Sequence, residues 1–270
     1  TFTESPNVTH SVYLKGAAEF ASTIKATGNI AITIGTNDVT IDGFKVTNPT
    51  GPYGIYAADK SDIIIKNNII DNIGETYVSE SPNSEFGIGI VSSASTVDNI
   101  LIENNIIINI YGSQWTNGEG IVIGWEAGNE AITNLTIQGN NISDIKSDFA
   151  HDYANGGRGA YGILINHGTG TGETTAPQIL GNTIYDLEGL WVHAIGLEGN
   201  TPGAIVQSNN IYNLTDHKTP SDAIGVQVEA NDGASTIEIS ENKFGANVFW
   251  GVANVVSGSP QPEVKAENNW

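Results

Sequence analysis

The sequence predicts an all-β fold: a right-handed, single-stranded parallel β-helix, a solenoid of about eight to nine coils with three short strands per coil. Three observations predict it. One frame, I-x-x-N-x-I-x-x-I, recurs along the chain as Ile65/Asn68/Ile70/Ile73, Ile102/Asn105/Ile107/Ile110, Ile137/Asn140/Ile142/Ile145, Ile179/Asn182/Ile184/Leu187 and Val206/Asn209/Ile211/Leu214. Its copies lie 24 to 42 residues apart, with a mean near ~32, and a period in that range marks a repeat fold. Within each copy, β-branched residues alternate in runs too short for helices, as in Ile88-x-Ile90, Ile121-x-Ile123, Ile163-x-Ile165 and Ile224-x-Val226. Period-2 alternation bounded by Gly, Asn, Asp and Ser reads as strand. Coils stacked ~4.8 Å apart make a rod roughly 40 Å long, and parallel crossovers favour the right hand.

Taken in order, residues 1–30 read as an incomplete first coil, with a strand at Val12-Tyr13-Leu14 and with Ile24 and Ile30-Ala31-Ile32 leading into the first full repeat. An atypical copy follows at 41–46, with Phe44 in the Asn slot. Residues 53–73 then show the unit most clearly: a strand at 54–57, a second at 63–65 and a third ending at Ile73. Weaker copies occur at Ile239/Asn242/Phe244 and Ala266/Asn269. Ile65, Ile102, Ile137, Ile179, Val206 and Ile239 are expected to stack in one inward column, and Ile70, Ile107, Ile142, Ile184 and Ile211 in another. The frame's Asn is expected to take the left-handed conformation of a tight corner and to hydrogen-bond along the rod as a ladder.

Composition sets the limits on function. One solenoid domain accommodates all 270 residues, because such folds grow by adding coils. The chain has no Cys and no Met, which excludes disulfides and Cys-based metal sites. Neither a signal peptide nor a span of ~20 apolar residues is present, so membrane insertion is not expected. A formal charge of −20 excludes nucleic acid as a partner, since phosphate backbones need clustered Lys and Arg. That acidity fits an extracellular or cell-surface location. Sequons begin at Asn7, Asn134, Asn141 and Asn213, at a frequency that chance supplies in a chain this rich in Asn and Thr. Both ends look cut from a longer extracellular protein, the last residues stopping inside a repeat frame.

The run 37–48 (NDVTIDGFKVTN), followed by Tyr53-Gly54-Ile55 and Ile63-Ile64-Ile65-Lys66-Asn67-Asn68, resembles right-handed parallel β-helix proteins of the pectate-lyase-like superfold. The branch is the one whose repeats recur in carbohydrate-binding proteins, sugar hydrolases and microbial surface proteins. The opening, through Leu14-Lys15-Gly16-Ala17, is similar to that branch's usual first coil, so the resemblance spans essentially the whole chain. It implies the fold rather than one activity, because these coils serve lyases, hydrolases, epimerases, adhesins and surface-layer proteins alike. Neither the basic-residue signature of the lyases nor the Asn-x-Asp, Asp-Asp, Gly-His-Gly series of the polygalacturonase-type hydrolases occurs here.

Length varies mainly at one corner, after the last apolar residue of each copy. The loops are 74–85, 111–119, 146–160, 188–192 and 215–222. Sharing one phase, they project from one edge and are expected to wall a cleft along the first-strand face. Four of the five Trp and three of the five His fall on that edge, with Arg158, the one Arg of the chain. Aromatic rings beside carboxylates and imidazoles suit a sugar polymer. Trp115, Trp125, Trp191, Tyr153, Tyr161 and Tyr56 are the candidate substrate-binding residues.

Arg158, His151, His167, His193, Glu198 and Asp152 are the candidate catalytic residues. Arg158 lies among glycines and can clamp an acidic group, or pair with Asp148 or Asp152 of its own loop. The histidines titrate near neutral pH and can move a proton. Glu119, Glu126, Asp152, Glu198 and Asp222 form a pool from which a hydrolase pair or oxygen ligands for Ca2+ can be drawn. Two readings follow. One is an enzyme, a lyase or glycoside hydrolase, that binds and cleaves an extracellular polysaccharide. The other is a non-catalytic surface-layer, sheath or adhesin module that binds glycans or neighbouring subunits, as a homo-oligomer or within a larger parent protein.

Overall fold

The computed structural model describes residues 1–17, 20–77, 84–113, 116–124, 130–148, 158–167, 172–218, 222–229, 236–255 and 262–270. Its strands pair in parallel and form three nine-stranded sheets, the architecture of a right-handed β-helix of about nine coils. The first sheet runs from Asn7–Val8 to Trp250–Asn254, the second from Val12–Lys15 to Glu263–Glu267 and the third from Phe2–Thr3 to Lys243–Phe244. One middle coil is Gly118–Gly124, Ile132–Gln138 and Asn141–Lys146. The N-terminal segment departs from the expected partial coil, because short strands at Phe2–Thr3, Asn7–Val8 and Val12–Lys15 already occupy all three sheets.

Both expected inward columns are present. Ile65, Ile102, Ile137, Ile179, Val206 and Ile239 are successive partners in the second sheet. Ile70, Ile107, Ile142, Ile184 and Ile211 are successive partners in the third. All eleven are fully buried, and each buried Ile side chain is worth roughly 1.5–3 kcal/mol.

The asparagines form the expected ladder but do not turn the corner themselves. Asn68, Asn105, Asn140, Asn182, Asn209 and Asn242 each donate an Nδ2–H bond to the Oδ1 of the next rung, ending at Asn269, at 2.9–3.1 Å. The positive φ belongs to the residue just before: Asn67, Asn104, Ser208, Glu241 and Asn268 at 53–59°, with Gly43, Gly139 and Gly181 in the other coils. Two further left-handed columns mark the start of the second strand (Asp38, Asp62, Asn99, Asn134) and the middle of the third (Asn72, Asn109, Asp144, Asp186, Asn213). Short polar side chains tolerate that region. Their amides stay with the stack: Asn99 donates to Asp62, Asn109 to Asp71 and Asn134 to Asp98.

The first sheet departs from simple alternation in two ways. Its register passes from Tyr53 to Ile55 and from Glu119 to Ile121, skipping one small residue per coil: Ala31, Gly54, Gly87, Gly120, Gly162, Ala194, Gly225 and Gly251. A Cβ at Gly120 would lie 2.5 Å from the Gly162 carbonyl and 2.7 Å from Ile142 Cγ2, so neighbouring coils leave no room for a side chain. The sheet's outer face is also covered. Every residue of Glu85–Val91, Gly118–Gly124 and Ala223–Val228 is buried, whereas Val97–Glu103 in the second sheet shows exposed and buried positions in turn. The face expected to be an open cleft is therefore closed over in the middle coils.

Central and terminal positions should differ in cost. Asn140 accepts two bonds from Asn105 and donates to Asn182 and to the Ile102 carbonyl. Asn140→Ala should cost about 3 kcal/mol or more by stranding buried polar groups, and Ile107→Ala about 2–5 kcal/mol by leaving a cavity. Asn269→Ala, at a half-buried last rung, should cost about 1 kcal/mol or less. Denaturant melts of the three variants check this, and equal losses would contradict it.

Candidate functional site

The outward column at the start of the first sheet reads Tyr53, Phe86, Glu119, Tyr161, His193, Ile224 and Trp250, each the register partner of the next. Coil stacking therefore places Glu119, Tyr161 and His193 on three consecutive rungs. Tyr161 meets the His193 ring edge-on, with centroids 5.1 Å apart. Its hydroxyl accepts a bond from Trp191 Nε1 at 3.2 Å and interacts with the Glu198 carboxylate. Glu198, at the far end of the His193 strand, folds back over Gly196, where an added Cβ would lie 3.4 Å from its Oε1. That fold brings Oε1 to 3.6 Å from His193 Nδ1.

Burial sets the electrostatics of this cluster. Glu119 is 1% exposed. Ser84 and Asn117 donate to its Oε1 at 2.9 and 3.2 Å, while Oε2 has no partner among the described residues. Burial, with the neighbouring Glu198 and Glu85 carboxyls adding to it, pushes the Glu119 carboxyl up to about 8. Glu85, one residue before the column and fully buried, is likewise pushed up to about 8 by burial. Thr116 and the Ser113 backbone oppose that rise, but neither Glu85 oxygen makes a bond of good geometry. Burial first, and Glu198 second, raise the Tyr161 phenol well above its ordinary value. At neutral pH burial thus favours the protonated form of Glu85 and Glu119.

Of the catalytic candidates, His193 and Glu198 are brought together, with Tyr161 and Trp191 from the binding set. Arg158 reaches the rim through its backbone: its carbonyl accepts bonds from Ser147 Oγ and from Leu190 N–H at 3.0 Å. The adjacent Gly159 serves the indole, since a Cβ there would lie 2.0 Å from Trp191 Nε1. Lys218 lies 5.9 Å from the Trp191 ring centre.

His167 stands apart. It follows the end of Ala160–Asn166, on the order of 20 Å along the strand from Tyr161, and is 1% exposed. Its Nε2 lies 2.6 Å from Thr174 Oγ1, and burial lowers it to about 4. It is an uncharged packing group near neutral pH. Tyr56 is half-buried among Tyr53 and Phe86, with centroids 6.1 Å from each, three coils from Leu164 of the Tyr161 strand. Trp115, Trp125, His151, Asp152 and Tyr153 lie outside the described residues. So does Glu126.

Glu85 escaped sequence reasoning. Register would have found it, because its column continues as Gly118, Ala160, Val192 and Ala223, and a carboxylate in a column of small and apolar residues is conspicuous. Glu119 stood in the pool of carboxylates with nothing to single it out. Among the described residues no group of three or more His, Asp or Glu is placed to hold a metal ion, so no step is assigned to Ca2+. Two open pockets lie beyond the cluster. One of about 370 Å³ is lined by Leu214, Ala223, Val248 and Phe249, among others. One of about 390 Å³ is lined by Asp144, Asp186, Glu188 and Asn213, among others.

These shifts set opposing pH limbs. Glu85 and Glu119 titrate near 8 in the folded chain against an ordinary 4.5, so the folded state holds extra protons between those values and stability should fall as pH rises through that window. His167, at about 4 against 6.5, binds protons better when unfolded, so stability should also fall as pH drops from 6.5 toward 4. Glu119→Gln should flatten the alkaline limb and His167→Gln the acid one. Melting temperatures between pH 4 and 9 test both, and an unchanged alkaline limb in Glu119→Gln would show that Glu119 ionises freely.

Among the described residues no helix is long and apolar enough to cross a membrane. Comparisons with curated proteins and with solved structures returned no match. The family description "Right handed beta helix region" matches residues 5–270. With the three-sheet coil and its buried ladder already in view, that match is decisive: the chain belongs to the right-handed β-helix family, a group associated with carbohydrate-binding, carbohydrate-degrading and surface proteins.

Proposed function

We propose that this is an extracellular or cell-surface carbohydrate-active protein that binds and cleaves a polysaccharide by acid–base hydrolysis at the Glu119–Tyr161–His193–Glu198 cluster. The observation that carries the proposal is the contrast between two carboxyl groups in one cluster: Glu119 is fully buried, and burial pushes it up to about 8, whereas Glu198 is part-exposed and lies 3.6 Å from His193. Glycosidic hydrolysis needs that division, one group to protonate the leaving oxygen and one to activate water or attack carbon. Glu119 is the acid and Glu198 the base or nucleophile. When Glu198 acts as base it takes a proton from the attacking water, and His193, 3.6 Å away, can share that proton. Glu198 keeps 18% of its side chain exposed, and with half-buried Trp191 it is where a sugar meets the cluster. Arg158 at the rim binds polar groups of the chain.

The burial of Glu119, Tyr161 and His193 favours a second reading, a glycan-binding surface module in which the cluster only braces the coils. Product analysis separates the two. The protein is incubated with neutral and acidic polysaccharides and assayed for reducing ends and for unsaturated uronates. Reducing ends without unsaturation are expected. Glu119→Gln and Glu198→Gln should each lose about 10² to 10⁴ in rate, while Trp191→Ala should mainly raise KM. Unsaturated products would replace hydrolysis by elimination. Full activity in both Gln variants would sink the assignment, and binding without any product would establish the second reading.

A further inference from the structure

The outward column that carries Tyr161 and His193 continues through Ile224 to Trp250, two coils on and ~10 Å along the rod. There its character changes. Ile224 is buried, but Trp250 and its neighbour Phe249 are 52% and 55% exposed. Their rings meet edge-to-face, with centroids 5.4 Å apart at 77°. Phe249 is held in place by its N–H bond to the Ala223 carbonyl at 2.9 Å. It forms one wall of the 370 Å³ pocket, whose other sides are Leu214, Val248, Thr215, Asn247 and Asp216. An apolar floor, an aromatic wall and a few hydroxyl, amide and carboxylate groups are the combination that a sugar ring engages, through its C–H face and its hydroxyls.

We infer that Phe249, Trp250 and this pocket form a distal subsite that binds an uncharged sugar unit of the same chain whose bond is cut at the cluster. The inference rests on the proposed function for its ligand class, and it adds a choice between neutral and acidic glycans. Asp216 is the one charged residue among those lining the pocket, and the whole chain carries a net −20. A uronate seated there would meet the Asp216 carboxylate, already bonded to the Lys218 and Asp222 N–H groups, together with the overall negative charge, whereas a neutral hexose or pentose would meet no such repulsion. The subsite lies at the same edge as Trp191 but needs none of the buried carboxyls, so binding there is separable from chemistry.

Intrinsic tryptophan fluorescence and affinity electrophoresis test it, with neutral β-glucan and xylan hexasaccharides and hexagalacturonate as the probes. The parent should bind a neutral hexasaccharide and not hexagalacturonate. Trp250→Ala and Phe249→Ala should each weaken that binding about tenfold, with melting temperatures near the parent's showing that the coil is intact. Phe249→Tyr, which keeps a ring, should restore it if Phe249→Ala also proves unstable. Parental affinity in both Ala variants, preference for hexagalacturonate, or no binding to any probe would each overturn the subsite. Because the readout is binding, a parent that binds but releases no product would overturn the hydrolytic reading and leave the subsite standing.

Discussion

The buried asparagine ladder is the constraint on which the other positions depend. Each interior rung uses its whole capacity. Asn105, for example, donates from Nδ2 to the Ile65 carbonyl and to Asn140 Oδ1, and its own Oδ1 accepts the backbone N–H and side-chain amide of Asn68. A one-residue slip in any coil would break up to four bonds among buried polar groups. Hydrophobic burial acts in the same direction, because a one-residue slip would turn each inward Ile column outward. The ladder locks the coils in phase, and the phase fixes which side chains meet on the outer faces.

That division explains what could be read from sequence. Ile and Asn positions repeat because the same physical demand recurs in every coil, and repetition is visible without a structure. The left-handed corner was assigned to the wrong neighbour because Asn67-Asn68 and Asn104-Asn105 are doublets, and either member has the chemistry for positive φ. The coils with Gly139-Asn140 and Gly181-Asn182 held the answer, since only the first member is Gly. The skipped small residue of the first sheet was legible too, as a Gly or Ala just before the first inward Ile or Val of each first strand, yet its cause lies in the next coil's carbonyl and cannot be seen along one strand.

The candidate site was less legible for a different reason. Its members are non-repeating residues set on a repeating frame, so only register relates them. Tyr161, His193 and Glu198 follow from phase, but the proximity of Glu198 to His193 depends on a side chain folding back across Gly196. Whether a histidine is buried was not legible either. His167 and His193 look alike in sequence, and packing left one beside a carboxylate and the other against Thr174.

Net charge sharpens the point about Glu119. A chain with thirty acidic and ten basic residues has few cations with which to pair a buried carboxylate, and none is among the groups that perturb Glu119 or Glu85. Holding such groups protonated removes the cost of burying an unpaired charge, and it leaves two carboxyls that act as acids near neutral pH. In a basic protein the same positions would draw a Lys or Arg, and the carboxyls would titrate low and stop being acids. Acidity of the whole chain and acid strength at one buried point are therefore coupled through the scarcity of counter-charge.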